Sequence, residues 1–227
     1  DNLKKGYVSF TRPAFDSDVV ISPVIGFSVK DYIGRFKNSR YLTRGTQFSV
    51  AAAMSALAGA GLAAGLPQEC GLFVGTGPNL DISGEFPDFH RGAMDGEELA
   101  ALWMLRFLPN TAASAIAQLA GIHGENATIT TACAASLQAI GEAFRKIKDG
   151  YLDMALAGGG DSRLHPGGVL AYRKAQALYT GTLDPQQASR PFDMDRKGFV
   201  PGEGGAFFIL EELNKARRRG ARILGEV

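Results

Sequence analysis

The feature that most constrains the fold is a strand that runs into a helix at a cysteine and is followed by a second apolar strand. Residues 126–131 alternate apolar and polar side chains, which is typical of a strand, and a helix begins near Cys133. After Gly150, the apolar run 154–157 predicts a further buried strand, closed by three glycines. Strand, helix and strand in this order indicate an α/β fold with a largely parallel or mixed sheet.

The helix after the first of these strands carries an apolar stripe. Its members recur at i, i+4, i+7, i+11 and i+14, and they are Cys133, Leu137, Ile140, Phe144 and Ile147. This spacing is that of one helix face, which we expect to pack inward. A thiol at the start of a helix lies near free backbone N–H groups and the positive end of the helix dipole, and both stabilise a thiolate. Cys133 is therefore a candidate nucleophile, and an inert buried cysteine is the alternative.

The other predicted elements continue the alternation of helices and strands. Helices are predicted for residues 48–62, 97–108, 111–120 and 211–219. Thr46 and Asn110 are the predicted caps of the first and third of these helices. Strands are predicted for residues 71–75 and 204–210, and residues 1–45 and 162–203 are interpreted as irregular.

Composition limits the classes of partner and compartment. The 227 residues, 45% of them hydrophobic, can form one large α/β domain. The 24 basic and 23 acidic side chains nearly cancel, which argues against binding to nucleic acid or anionic membranes by charge alone. Only two cysteines are present, Cys70 and Cys133, so a reducing compartment is indicated, with the cytoplasm as the default. No apolar run is long enough for a membrane span.

No metal or cofactor is predicted. The three histidines, His90, His123 and His165, lack the spacing of a metal site. The glycine-rich runs at 75–77 and 158–160 follow strands, but neither completes a dinucleotide fingerprint or a phosphate loop with its lysine. We therefore interpret both runs as tight turns.

Two stretches resemble the β-ketoacyl-acyl-carrier-protein synthases, or ketosynthases. Residues 131–137, Thr-Ala-Cys-Ala-Ala-Ser-Leu, are similar to the family's nucleophile turn. Residues 188–193, Ala-Ser-Arg-Pro-Phe-Asp, continued by Arg196, by 198–200 and by 202–204, are similar to the loop before the last strand of the family's N-terminal half. Together with similar residues near 157 and 220, the resemblance extends over most of residues 45–227.

The resemblance implies the N-terminal half of a thiolase-like fold, with αβαβα layers when complete. Residues 1–227 would then be the β-ketoacyl synthase N-terminal domain without the family's first strand and without its C-terminal half, which carries two histidines used in the reaction. Residues 2–6 resemble the segment just after that first strand. The 227 residues alone are therefore expected to be inactive.

The function implied by the resemblance is acyl transfer in fatty-acid or polyketide synthesis. Cys133 would form an acyl thioester, which then condenses with a malonyl group on acyl-carrier protein as carbon dioxide is lost. The implied partners are acyl-carrier protein, acyl and malonyl thioesters, and a second subunit in a homodimer or a ketosynthase-like heterodimer. The alternative is a non-catalytic partner of the chain-length-factor type, although such subunits replace the nucleophile.

The resemblance also assigns a pocket and a docking surface. The residues that would line the acyl pocket are Pro78, Phe107, Leu108, Gly168 and Tyr172. Ordinary core packing is the alternative for each of them. Arg40 and Arg44 match a basic cluster that meets the acidic carrier protein, with plain solvation as the alternative. The basic residues between 215 and 222 are interpreted as a solvated helix end.

Overall fold

The computed structural model describes residues 4–63, 65–67, 69–77 and 102–227. The α-helices in these ranges are α1 Lys30–Ile33, α2 Arg44–Gly59, α3 Thr111–Ala120, α4 Ala135–Lys148, α5 Pro166–Lys174 and α6 Leu213–Arg218. The strands are β1 Gly71–Gly75, β2 Asn126–Ile129, β3 Met154–Ser162 and β4 Glu203–Glu211. The 3₁₀ turns are Lys37–Tyr41, Trp103–Arg106, Ala132–Ala134 and Pro185–Gln187. None of the helices in this part of the chain is long and apolar enough to cross a membrane.

The described residues form two compact units. One contains the described residues within 1–27 and 162–203. The other contains those within 28–79, 100–161 and 204–227, and it holds most of the sheet together with Cys133. The candidate nucleophile and the helix that follows it are therefore built within a single unit.

The sheet has the strand order β2-β1-β3-β4, with β1 parallel to both of its neighbours. Phe73 at the middle of β1 pairs with Ala127 on β2 and with Ala157 on β3. At the end of β1, Gly75 pairs with Ile129 and Gly159. Because the three strands are parallel, their carboxyl ends meet at one edge, and the predicted α/β fold with a largely parallel or mixed sheet is confirmed.

Helices cover both faces of the sheet in this unit. Phe73 and Ala157 form a buried cluster with Ala139 of α4, which places α4 on one face. Successive residues of a strand point to opposite faces, so Gly160 faces away from Gly159. A Cβ on Gly160 would lie 2.8 Å from the Ser49 nitrogen of α2, whereas one on Gly159 would meet α4. The sheet thus lies between α2 and α4.

The inward face of α4 differs from the predicted apolar stripe. Its buried residues are Ala135, Ala139 and Ala143, whereas Leu137 is 75% exposed and Cys133 is exposed as well. The small side chains are the most deeply buried because the helix lies close to a sheet surface rich in glycine and alanine. The expectation that Cys133 and Leu137 pack inward is wrong for this structure. Ile140 and Ile147 of the same predicted stripe do pack against the buried cluster.

Several boundaries also differ from the sequence prediction. Helix α2 begins at Arg44, and its cap is Thr43 rather than Thr46, since the Thr43 hydroxyl accepts a hydrogen bond from the Thr46 N–H. The bounds of α3 are those predicted, but Asn110 makes no side-chain cap. Strand β3 continues through its three glycines to Ser162, so this run is part of the sheet and not a turn.

Helix α5 was not predicted, because the sequence Pro166-Gly167-Gly168 is typical of a loop. The structure shows why a helix nevertheless starts there. Pro166 occupies the first turn, where its missing N–H costs no hydrogen bond, and the His165 Nδ1 accepts a hydrogen bond of 3.1 Å from the Gly168 N–H. The predicted helix 97–108 lies partly outside the described residues, and its described part contains only the 3₁₀ turn Trp103–Arg106.

Candidate active site

Cys133 lies in a short turn between the end of β2 and the start of α4. The Thr76 N–H donates a hydrogen bond of 3.0 Å to the Ile129 carbonyl, which holds the ends of β1 and β2 side by side. Within the turn, the Ala134 N–H donates to the Thr131 carbonyl at 3.2 Å, and the Ala135 N–H donates to the Ala132 carbonyl. Neither bond uses the N–H of Cys133. The thiol therefore stands at the carboxyl edge of the parallel strands, where α/β sheets usually bind ligands.

The turn is sharp because the residue before the cysteine has an unusual backbone conformation. Ala132 has a φ of 51°, in the left-handed region that residues with a Cβ seldom adopt. Such strain persists only where surrounding contacts hold it, and it is concentrated at functional sites. One contact across the turn is the hydrogen bond of 2.6 Å from the Thr131 hydroxyl to the Gln138 side-chain oxygen. The result is an exposed cysteine on a tightly constrained turn.

Two glycines let the start of α4 approach the sheet closely. A Cβ on Gly75 would lie 2.4 Å from the Ser136 nitrogen and 2.5 Å from the Ala135 carbonyl carbon. A Cβ on Gly159 would lie 2.3 Å from the Gly75 oxygen and 2.4 Å from the Ser136 Oγ. A side chain at Gly75 would push the helix start, and with it the cysteine turn, away from the sheet. A side chain at Gly159 would collide with the Gly75 carbonyl and with the Ser136 hydroxyl. Sequence reasoning missed this role, although both glycine runs were visible as signals.

The two cysteines have opposite environments. Cys70 is 1% exposed, its Sγ donates to the Gly71 carbonyl at 3.5 Å, and burial raises the pKa of its thiol to about 11. At neutral pH this thiol is protonated and shielded from reagents. Cys133 is exposed at the turn. Of the two thiols, only that of Cys133 is accessible at the surface of the described residues.

Two of the predicted pocket residues lie in the same unit as Cys133, between the turn Trp103–Arg106 and α3. The Phe107 ring is half-buried and meets the Trp103 ring edge to face, with 5.9 Å between centroids. Leu108 is 40% exposed. Pro78 lies outside the described residues. The pocket roles of these residues stay predictions.

The remaining two pocket residues, Gly168 and Tyr172, belong to the other unit, on α5. A Cβ on Gly168 would lie 2.5 Å from the Arg163 oxygen, so local packing already requires a glycine there. Tyr172 packs against a buried cluster that includes Leu178, and its ring meets the Phe199 ring at 5.4 Å between centroids. Core packing accounts for both residues, and their contact with substrate stays a prediction.

Arg40 and Arg44 lie beside the N-terminal end of α2. Each guanidinium rests on an aromatic ring, Arg40 at 4.9 Å from the centre of Tyr41 and Arg44 at 4.8 Å from that of Phe48. A cation at this end of a helix is not favoured by the helix dipole. The cation–π contacts orient the two positive charges on the surface of the unit.

Comparison with known proteins identifies the family. Residues 27–216 match the family described as "Beta-ketoacyl synthase, N-terminal domain". The chain belongs to the β-ketoacyl synthase family. Among curated family members, it is 34% identical over 228 residues to the tetracenomycin polyketide synthase ketoacyl synthase alpha subunit of Streptomyces glaucescens, covering 96% of this chain and 54% of that protein. It is 32% identical over 206 residues to the 3-oxoacyl-[acyl-carrier-protein] synthase 2 of Vibrio cholerae, covering 90% and 50%.

Solved ketosynthase structures share the fold. A β-ketoacyl synthase from Burkholderia phymatum superposes with a TM-score of 0.80 at 29% identity, covering 97% of this chain and 56% of that one. The ishigamide ketosynthase/chain length factor gives a TM-score of 0.73 at 29% identity, covering 90% and 50%. The architecture is therefore the thiolase-like one of the ketosynthase family. The chain spans about half the length of the relatives that it matches.

Proposed function

We propose that this chain is the nucleophile-bearing half of a 3-oxoacyl-acyl-carrier-protein synthase and that Cys133 is its acyl acceptor. The observation that carries the proposal is the placement of Cys133: an exposed thiol on a strained turn at the carboxyl edge of the sheet, in a family of condensing enzymes. Cys70, the other cysteine, is buried and protonated at neutral pH.

The reaction has two steps. In the first, the Cys133 thiolate attacks the carbonyl carbon of an acyl thioester on the carrier, a new S–C bond forms, and the carrier thiolate leaves. In the second, a malonyl thioester loses carbon dioxide, and its carbanion attacks the acyl carbon on Cys133. The new C–C bond forms as the S–C bond to Cys133 breaks, which regenerates the thiolate. A covalent intermediate thus divides one difficult step into two.

The turn supplies one group beyond the sulfur for the first step. The N–H of Cys133 is not used by the hydrogen bonds within the turn and lies just before α4, where backbone donors and the helix dipole favour negative charge. It would donate to the oxyanion that forms as the thiolate attacks. Decarboxylation would use the two histidines of a C-terminal half, since His123 and His165 do not match the family's histidine motifs.

The partners follow from the same proposal. The Vibrio cholerae relative is named for a reaction on acyl-carrier protein, and we extend that partner to this chain. Arg40 and Arg44, held over Tyr41 and Phe48, would face the acidic carrier. Phe107 and Leu108, which lie in the same unit as Cys133, would line the acyl pocket. Strand β2 lies at an edge of the described sheet and would pair with its counterpart in a homodimer or a ketosynthase-like heterodimer.

A second candidate is a non-catalytic subunit of the chain-length-factor type. It is favoured by the structural similarity to the ishigamide ketosynthase/chain length factor. The presence of Cys133 argues for catalysis, because subunits of that type replace the nucleophile. The two candidates differ in one measurable property, which is whether Cys133 accepts an acyl group.

The test is acylation of the full-length protein. The protein is incubated with an acyl group loaded on acyl-carrier protein, and its peptides are analysed by mass spectrometry. We expect one acyl adduct, on the peptide that contains Cys133. The C133A variant should lose the adduct, whereas the C70A variant should keep it.

Three other outcomes would contradict parts of the proposal. Equally slow labelling of both cysteines would exclude Cys133 as the acyl acceptor. Absence of acylation in the full-length protein, with and without a co-purified ketosynthase partner, would favour the non-catalytic candidate. Detection of a ketoacyl product from the 227 residues alone would show that condensation does not need the two histidines of a C-terminal half.

A further inference from the structure

Two side chains on either side of Cys133 are joined directly. The Thr131 hydroxyl donates a hydrogen bond of 2.6 Å to the Oε1 of Gln138. Thr131 stands two positions before the cysteine, and Gln138 is on α4, five positions after it. Both residues are exposed, so the bond adds little to the global free energy of unfolding. Its notable property is that it closes a ring around the cysteine turn.

The backbone inside this ring is strained. Ala132, between Thr131 and Cys133, has a φ of 51°, and a non-glycine residue in that region needs support from its surroundings. The Thr131 carbonyl already accepts the Ala134 N–H at 3.2 Å. That bond lies within the turn, and the side-chain bond to Gln138 connects the same residue to α4. Together these bonds limit the rotation of the peptide units next to Cys133.

We propose that Thr131 and Gln138 are positioning residues for Cys133. Their hydrogen bond fixes the left-handed conformation of Ala132 and, through it, the direction of the Cys133 sulfur relative to its own N–H. This inference rests on the proposed role of Cys133 as acyl acceptor. Neither side chain needs to touch the substrate for this role.

Position matters more for acylation than for simple alkylation. In acylation, the sulfur must reach the carbonyl carbon while the N–H of Cys133 reaches the carbonyl oxygen, so both groups must converge on one bond. Iodoacetamide requires only an accessible thiolate. Loosening the turn should therefore slow acylation while leaving alkylation almost unchanged, and a purely structural role would not separate the two rates.

The test uses variants of similar shape in the full-length protein. T131V removes the hydroxyl but keeps the branched side chain, Q138M removes the acceptor but keeps the length, and T131S keeps the hydroxyl. We expect T131V and Q138M each to lower the acylation rate constant of Cys133 about fivefold, as for the loss of one hydrogen bond. The double variant should be no slower than either single one, because both changes remove the same bond. T131S should stay within about twofold of wild type.

Thr130 gives the matched control, because it is exposed and adjacent to Thr131 in the chain. T130V should acylate at the wild-type rate, and all variants should react with iodoacetamide within about twofold of wild type. Wild-type acylation rates in T131V and Q138M would overturn this inference alone. So would a double variant whose loss is the product of the single losses. A wild-type protein that is not acylated at Cys133 would overturn the proposed function as well.

Discussion

Gly75 and Ser136 are in backbone contact: a Cβ built on Gly75 would lie 2.4 Å from the Ser136 nitrogen, whereas ordinary contacts begin near 3.4 Å. The atoms it would meet are backbone atoms, which cannot rotate away. G75A should therefore push the start of α4 outward and displace Cys133. We expect the acylation rate constant of the full-length protein to fall about 100-fold, since misplacement by about 1 Å has effects of that order.

Gly71, on the same strand, provides the control for this prediction. A Cβ there would meet the Leu152 Cδ1 at 2.5 Å and the Phe73 Cε2 at 2.9 Å, and both are side-chain atoms that can move. G71A should cost stability by repacking but keep acylation within a few-fold of wild type. Acylation that is equally impaired in both variants would show that general loss of packing, and not the helix start, limits the reaction.

The orientation of α4 can be tested on the two faces of the helix. Leu137 is 75% exposed, whereas Ala139 is completely buried. In the chain described here, L137K should change the free energy of unfolding by less than about 0.5 kcal/mol. A139L should lower it by about 1–3 kcal/mol, because the close contact of the helix with the sheet leaves no room for a larger side chain. Denaturant unfolding followed by circular dichroism measures both free energies of unfolding. A larger decrease for L137K than for A139L would indicate that Leu137 packs inward after all.

Because the thiol of Cys70 is buried, we expect the fold to lose stability at high pH. Its pKa is raised to about 11 by burial, above the ordinary value of 9.0, so the folded state keeps the proton that the unfolded state releases. This contribution to the free energy of unfolding is complete below pH 9 and is lost as the pH rises towards 11. Unfolding measured across this window should show a steeper decline for the wild type than for C70A. The variant C133A, which retains Cys70, should follow the wild type.

Because the Asp193 carboxylate accepts hydrogen bonds in the folded state, we expect the fold to lose stability at low pH. Its pKa is lowered first by the hydrogen bond from the Asp195 N–H and then by Arg190, which donates to the Asp193 Oδ2 at 2.6 Å. The contribution is therefore present above the ordinary pKa of 3.8 and is lost as the pH falls through the lower value in the folded state. D193N should melt below the wild type at neutral pH, and the difference should shrink below pH 3.8.

Asp195 provides the comparison for that measurement. Only its backbone N–H takes part in the contact with Asp193, so D195N leaves the interaction in place. Its melting temperature should follow the wild type through the same pH range. A pH-independent difference between D193N and the wild type would show that the carboxylate charge does not stabilise this loop.

Much of the fold could be predicted because apolar runs and helix-forming stretches in the sequence indicate strands and helices directly. The apolar run at β1 and the alanine-rich α3 have the predicted bounds. The inward face of α4 was predicted wrongly because a stripe of large apolar residues is the usual sign of a buried face. Here the sheet carries glycine at positions 75 and 159, and the fully buried residues of α4 are Ala135, Ala139 and Ala143, while the larger Ile140 and Ile147 are only partly buried against the same cluster.

The candidate site was predictable in part for a similar reason. The sequence motif located Cys133, because a thiol next to a helix start is a local feature. The Thr131 to Gln138 hydrogen bond and the contact of Gly75 with Ser136 depend on how the turn bends and how closely the helix lies on the sheet. Such distances arise from tertiary packing, which single-sequence patterns do not encode.

The close contact between α4 and the sheet also determines where side chains near the cysteine turn can be changed without moving the helix. The side of the cysteine turn that faces the sheet is filled by backbone atoms at Gly75 and Gly159. The opposite side, which includes Leu137, is open. Substitutions on the open side therefore leave the helix start in place on the sheet, whereas a side chain added at Gly75 displaces it.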